Sequence, residues 1–499
     1  MNTIDEWDDS SRKWRQLIRG RDWPLPHRRD GIFRILKVYV YANLTSIGRT
    51  IIRQTAEQTR PMYARRADCL VRFCDFGWGG HRGISDIRQF TADVPLLLRI
   101  LQATTLVADP ADADAFLVPV PIGTLQVSRW HMSAPGWRMS VPELRSTLSS
   151  SLSMLSTAPA KHIFLQTVDS TFIGMASKVG ASRSAPLIPN QSIVVHLGDG
   201  LCMSGNVHKY RPTKRATCYP NSIVVPYRAF WPMAAAWSEQ PLLHEANERR
   251  RPLLAFGSFG MKRHAYRGVL VKAVLAAEAL AAGRLRVGAL PEGVEQSRAQ
   301  GRPSAKTEGG GSTAAMPTIT ATVDSALNST FCLCPSGDTP ALTQRFYASI
   351  FSGCIPVLID LFDRYPNRSV PQALPFPSLI DWDRIVVRLP TRQPVNGEPP
   401  PVTASQSAPT PAQSHLQLLQ REFDGLVPRL LALEPSAPAR RRYMRRVAHW
   451  LRWDAPAGAE PDAASATLFE IARRLGKQPA SLASRPRGAK DAWEDAATF

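Results

Sequence analysis

Residues 328–359 read NSTFCLCPSGDTPALTQRFYASIFSGCIPVLI, and the order of apolar runs and breakers in them sets the fold. Phe331-Cys332-Leu333-Cys334 ends a short apolar strand, and Pro335-Ser336-Gly337-Asp338 supplies the turn that stops it. Thr339 stands at an N-cap position and Pro340 at the first helical position, where a missing N–H costs nothing. The helix is predicted to run to Phe351, Gly353 ends it, and Cys354-Ile355-Pro356-Val357-Leu358-Ile359 is the next buried strand. This is a βαβ unit, the repeating piece of a parallel α/β sheet. Its turn offers free backbone N–H groups and the positive end of a helix dipole, which together favour a phosphate. Arg345, about a turn and a half into the predicted helix, adds a charged fork for the same anion. Strand-turn-helix units also occur in α/β domains that bind no phosphate, so the rest of the chain has to decide.

Outward from this unit the chain divides into two α/β halves. In the first, strand-like runs at 35–41, 115–120, 162–167, 193–197 and 222–226 alternate with stretches such as Val94 to Leu106 that have helical spacing. Around 228–250 the composition shifts from Phe230-Trp231-Pro232-Met233 to the charged run Glu245 to Arg251, marking the passage between halves. The second half opens on Leu253-Leu254-Ala255-Phe256, a turn, and the amphipathic segment Gly268 to Ala282. Two low-complexity inserts, 300–315 and 394–414, are expected to be mobile surface loops. The sequence from 456 to 499 reads as a low-complexity tail, partly disordered, with one helical patch at Ala464 to Leu475.

At 499 residues the chain is long enough for two or three domains, and 44% hydrophobic content is ordinary for a globular protein. A net charge of +20 calls for acidic partners: nucleotide diphosphates, anionic glycans, membrane surfaces or nucleic acid. The basic residues are scattered, with clusters at 249–251, 262–263 and 440–446, and carry no recognisable nucleic-acid-binding module, so nucleic acid is not the expected partner. The Arg440 cluster reads best as a solvated basic face. Seven cysteines are too few and too unevenly spaced for a small disulfide scaffold or a zinc site. Cys202 and Cys218 read equally well as a pair or as free thiols, and Cys332 and Cys354 as small buried hydrophobes. The opening MNTIDEWDDSSRKWRQ has no signal-peptide core, and no apolar run reaches the roughly 18 residues of a spanning helix.

The residues resemble the exostosin-type glycosyltransferases, glycosyltransferase family 47. The signature stands as Ser329-Thr330-Phe331-Cys332-Leu333-Cys334-Pro335-Ser336-Gly337, Arg345 and Gly353-Cys354-Ile355-Pro356-Val357. Further matches follow in the family's order: Lys37-Val38-Tyr39-Val40-Tyr41, Thr105 with Asp109 to Pro119, Lys161-His162-Ile163-Phe164, Ser222 to Tyr227, Arg251 to Ser258 with Arg267, Leu374-Pro375-Phe376 and Ile380-Asp381-Trp382. The resemblance spans roughly residues 35 to 450. It implies a GT-B-like α/β fold, two Rossmann-like domains facing across a cleft. The expected plan is a polar extension at 1–30, an acceptor domain at 31–235, a nucleotide-sugar domain at 250–455 and the tail. It also implies an inverting glycosyltransferase moving a sugar from a nucleotide diphosphate donor, UDP-linked by expectation, to a hydroxyl of a polysaccharide or glycoprotein glycan. Its partners are then the nucleotide sugar and the glycan acceptor, with membrane association or oligomerisation as in the family. Golgi membrane anchorage is implied too, whereas this chain shows no anchor of its own, so the expectation is either a lost first exon or a soluble protein.

Glycosyl transfer needs charge stabilisation for the leaving diphosphate, a base for the acceptor hydroxyl and contacts that orient the donor. For the donor the candidates are Arg345, the turn Ser336, Gly337, Asp338 and Thr339, and Lys262, Arg263 and Arg267 after Ser258; a basic surface loop is the competing reading of the last three. For the base they are Asp169, His196 and Asp199, each at or just beyond the carboxyl end of a predicted strand; His196 also reads as a core histidine and Asp199 as part of a turn. The triplets Asp112-Ala113-Asp114 and Asp381-Trp382-Asp383 invite a metal, yet each reads more simply as a strand edge or turn, so no metal or cofactor is expected beyond the donor itself. Ala348 departs from the family, which places an acid there suited to the donor's ribose. Losing such a bond removes about 1.5–3 kcal/mol of binding, which opens a second reading, a catalytically weakened homologue that binds glycan or acts as a scaffold.

Overall fold

The computed structural model describes residues 36–59, 92–125, 141–167, 188–189, 191–197, 221–227, 251–259, 265–289, 325–335, 342, 344–359, 374–389, 420–453 and 462–477. Six strands form a first sheet: β1 (Lys37–Val40), β2 (Thr105–Val107), β3 (Ala115–Leu117), β4 (His162–Gln166), β5 (Ile193–His196) and β6 (Ile223–Val224), in the order β2-β1-β3-β4-β5-β6. Five form a second: β7 (Leu253–Phe259), β8 (Leu285–Ala289), β9 (Ser329–Pro335), β10 (Ile355–Ile359) and β11 (Val387–Leu389), in the order β11-β10-β9-β7-β8. Every pairing is parallel. In both sheets the second strand lies on one side of the first and the third on the other. The strand order therefore reverses between β1 and β3 and again between β7 and β9, and ligands of open α/β sheets bind outside the carboxyl ends at such points. The fold is α/β with two parallel sheets, consistent with a GT-B-like fold.

Among the described residues the sheets are covered by the helices α1 (Ala42–Thr59), α2 (Asp93–Ala103), α3 (Val141–Ser151), α4 (Ala265–Ala276), α5 (Gln344–Phe351), α6 (Leu426–Leu433), α7 (Ala437–Val447) and α8 (Ala463–Arg474). Strand side chains alternate between faces. Tyr41, Phe116, Phe164 and Val194 pack with Leu44 of α1 and Leu148 of α3 on one face of the first sheet. Leu254, Phe331, Leu333 and Val357 pack with Leu270 of α4 and Leu430 of α6 on one face of the second. The remaining faces share one core, in which Val38, Leu117 and Val195 meet α2 and α8 while Phe256, Cys332 and Leu358 belong with α5 and Met444 of α7.

The expected strand runs form β1, β3, β4, β5 and β6. β2, β8 and β11 are not visible in the sequence pattern, and all three are short strands at sheet edges, paired on one flank. The helical patch expected at 464–475 is α8, but it is no part of a tail. Nine of its residues are buried, it packs against α2, and Lys477 just beyond it pairs with Asp114 at 3.0 Å. Its small alanines read as low complexity in the sequence because small side chains are what close packing against another helix requires. The inserts at 300–315 and 394–414 lie outside the described residues.

Beneath the first sheet, His162 is fully buried and neutral. Its Nδ1 hydrogen-bonds the Ala158 carbonyl at 2.9 Å, its Nε2 the Tyr41 hydroxyl at 2.7 Å, and its ring stacks on Phe116. Burial pulls its pKa from 6.5 down to about 4. Between those values the unfolded chain binds the extra proton, so this contribution to stability is present above pH 6.5 and lost as the pH falls toward 4. Going from pH 7 to 5, wild type is expected to lose about 2 kcal/mol that the double variant Tyr41→Phe/His162→Phe does not lose, read from urea denaturation at both pH values.

Candidate functional site

The second sheet's reversal point lies between β7 and β9, and two helices on opposite faces begin beside it. α4 follows β7 and α5 follows β9, so both present their amino ends to the carboxyl edge of the sheet. The N-cap and helix start predicted at Thr339 and Pro340 give way to a later start. Leu342 is fully buried in the shared core and non-helical, and the helix begins at Gln344. Arg345 is therefore in the first turn, where backbone N–H groups lack intrahelical partners and the dipole is most positive. Arg267 occupies the first turn of α4.

The two arginines converge. The Arg345 guanidinium lies over the Phe259 ring at the end of β7, 5.7 Å from its centroid. Burial pulls its pKa from 12.5 down to about 10, and the like charge of Arg267 pushes the same way, so it stays protonated at neutral pH. No carboxylate among the described residues pairs with it. Two cations and two helix amino ends thus meet at one point, an arrangement that favours a polyanion.

The helix carrying Arg345 is held on its strand. Cys334 Sγ lies 3.3 Å from Ser349 Oγ, and that hydroxyl donates to the Arg345 carbonyl at 2.7 Å. Burial pushes the Cys334 thiol up to about 11, so it is an inert packing group. Cys332 and Cys354 are not separate buried hydrophobes: they form a disulfide that joins β9 to the residue before β10 and encloses α5. Sequence alone shows their spacing but not that adjacent parallel strands bring them together. Gly353 ends the helix as expected, at φ +67°, and a Cβ there would lie 2.7 Å from Arg251 Nη2. The Arg251 guanidinium donates to the Ser352, Ser329 and Ala326 carbonyls, capping α5 and bracing the start of β9.

Of the nominated residues, Arg267 and Arg345 are brought together. Lys262, Arg263, Ser336, Gly337, Asp338 and Thr339 lie outside the described residues, as do Asp169 and Asp199. His196 is the last residue of β5 and fully enclosed, flanked in the sheet by Gln166 and Val224, which fits the core reading better than the base. The two aspartate triplets precede β3 and β11 and so lie at the amino edges, away from the reversal points. Asp114 there accepts from the Lys37 N–H at 3.0 Å. Phe259 escapes sequence reasoning because its role depends on β7 lying beside β9.

The family model described as Exostosin GT47 domain matches residues 34–402, which takes in both sheets and the paired arginines. The chain belongs to the exostosin GT47 glycosyltransferase family.

Proposed function

We propose that this protein is an inverting glycosyltransferase that takes a sugar from a UDP-linked donor and places it on a hydroxyl of a polysaccharide or glycoprotein glycan. The observation that carries the reading is Arg345, a half-buried cation in the first turn of α5 with Arg267 beside it and no described carboxylate to neutralise it. A diphosphate is the group that relieves this repulsion. The donor then occupies the second half and the acceptor the first, across a cleft between the two carboxyl edges. In the transfer the acceptor oxygen attacks the anomeric carbon while the bond from that carbon to the β-phosphate oxygen breaks. UDP leaves with the electron pair, stabilised by the two guanidinium groups and the helix amino ends, and the acceptor proton passes to a base on the first half, for which Asp169 and Asp199 stand as candidates. The disulfide favours an oxidising compartment, in keeping with action in the Golgi lumen.

The test is a calorimetric titration with UDP, UMP and uridine, followed by transfer assays with a panel of UDP-sugars. UDP is expected to bind about tenfold or more tighter than UMP, and the difference to shrink at high salt. Equal affinity for UDP and uridine would remove the diphosphate from the reading. A second reading rests on Ala348, one turn along α5 from Arg345 and buried where the family has an acid. A homologue that binds donor without turnover would show the UDP titration but no transfer.

A further inference from the structure

The carboxyl edge of the first sheet holds a buried acid that the donor site does not use. Asp93 is the first residue of α2 and fully buried. Its Oδ2 accepts from the Thr124 N–H at 2.9 Å and its Oδ1 from the Thr124 hydroxyl at 2.6 Å. Its own N–H donates to Thr167 Oγ1 at 3.1 Å, and the Thr167 hydroxyl and Gly123 N–H also act on the carboxylate. Thr167 directly follows β4, and Gly123 and Thr124 lie beyond β3, so one carboxylate ties the ends of two neighbouring strands to the helix that leads into β2. The approach is close. A Cβ on Gly123 would lie 2.7 Å from Thr167 Oγ1 and 2.8 Å from its backbone nitrogen.

A buried carboxylate is expensive even when its lone pairs are filled. Here burial outweighs the donors and pushes the carboxyl from 3.8 up to about 6, and no charged side chain is among the influences on it. Along α2, Arg99 faces Asp462, the N-cap of α8, at 3.6 Å, and on β4 the titratable His162 is at the opposite end of the strand. An asparagine fits the same space, but only one of its two terminal atoms accepts, whereas the carboxylate accepts from all the donors at once.

We propose that Asp93 is a positioning residue of the acceptor half: its carboxyl, tied to Thr124 and Thr167, fixes the ends of β3 and β4 in one arrangement beside the acceptor. This rests on the glycosyl-transfer reading above. Because the folded pKa is raised, the group's contribution to stability is full below pH 3.8 and is lost as the pH rises through about 6. Asp93→Asn is therefore expected to melt at or above the wild-type temperature at pH 7.5, while its kcat falls about tenfold with UDP affinity unchanged. Thr167→Val, which keeps the carboxylate and removes one of its tethers, lowers kcat by less than Asp93→Asn and likewise leaves UDP affinity unchanged. An Asp93→Asn enzyme with wild-type kcat overturns the proposal. Amide exchange of segments 118–125 and 162–167, corrected for intrinsic rates, gives a readout independent of turnover. Protection of these two segments that is higher in wild type than in Asp93→Asn at the same pH upholds the role of Asp93 even if no sugar transfer is found, in which case the transferase reading alone fails. Equal protection in wild type and Asp93→Asn, with the wild-type enzyme active, sinks the Asp93 proposal alone.

Discussion

Arg345→Ala is expected to weaken UDP binding by about 3 kcal/mol, some 150-fold, and to leave the melting temperature unchanged or slightly higher. Truncation removes a charge-assisted fork from the diphosphate and leaves the first-turn N–H groups of α5 to hold it alone. In the unliganded protein the same guanidinium is desolvated and repelled by Arg267, so its removal relieves the fold. Arg345→Lys restores charge but not the planar fork and should recover only part of the affinity. Calorimetric titration at low ionic strength, with thermal melts of each variant, measures both sides. An alanine variant that binds UDP as tightly as wild type would mean that the diphosphate lies elsewhere.

Replacing Cys332 and Cys354 together by alanine is expected to cost about 3 kcal/mol of stability by the loop-closure estimate. The bridge spans a sequence separation of 22 and encloses all of α5, so its loss frees the unfolded chain and loosens the helix at once. What then holds α5 against β9 is its packing, the Cys334–Ser349 contact and the Arg251 cap at its carboxyl end. UDP affinity should fall with it, because Arg345 takes its place from that helix. Urea denaturation with and without dithiothreitol measures this: reductant destabilises wild type and leaves the double variant unmoved. Equal stability of the two proteins under oxidising conditions would show that the bridge contributes nothing to the fold.

Much of this was legible from residue order. The apolar runs at 331–334 and 354–359, the glycine at 353 and the run of family-like segments locate β9, α5 and β10 in the sequence itself. Several features stay hidden in the sequence because they depend on which strands become neighbours. The disulfide, the stacking of Arg345 on Phe259, and the tie from Asp93 to Thr124 and Thr167 join residues that the parallel crossovers bring together across long stretches of sequence. The edge strands β2, β8 and β11 escaped for a different reason, since a strand paired on one flank has less need of a continuous apolar run. The start of α5 was misplaced because Thr339 and Pro340 make a good cap locally, while burial of Leu342 in the shared core decides where the helix begins.

The chain passes between the two halves twice, once from β6 to β7 and again from α7 back to α8, which packs against α2 and β6. The two passages touch where the Trp453 indole N–H donates to the Pro226 carbonyl at 3.0 Å. Tyr227, next in line, lies against Tyr347 of the helix that carries Arg345. The two passages and the helix that carries Arg345 therefore share one packed neighbourhood, so a substitution at Trp453 reaches α5 through Pro226, Tyr227 and Tyr347.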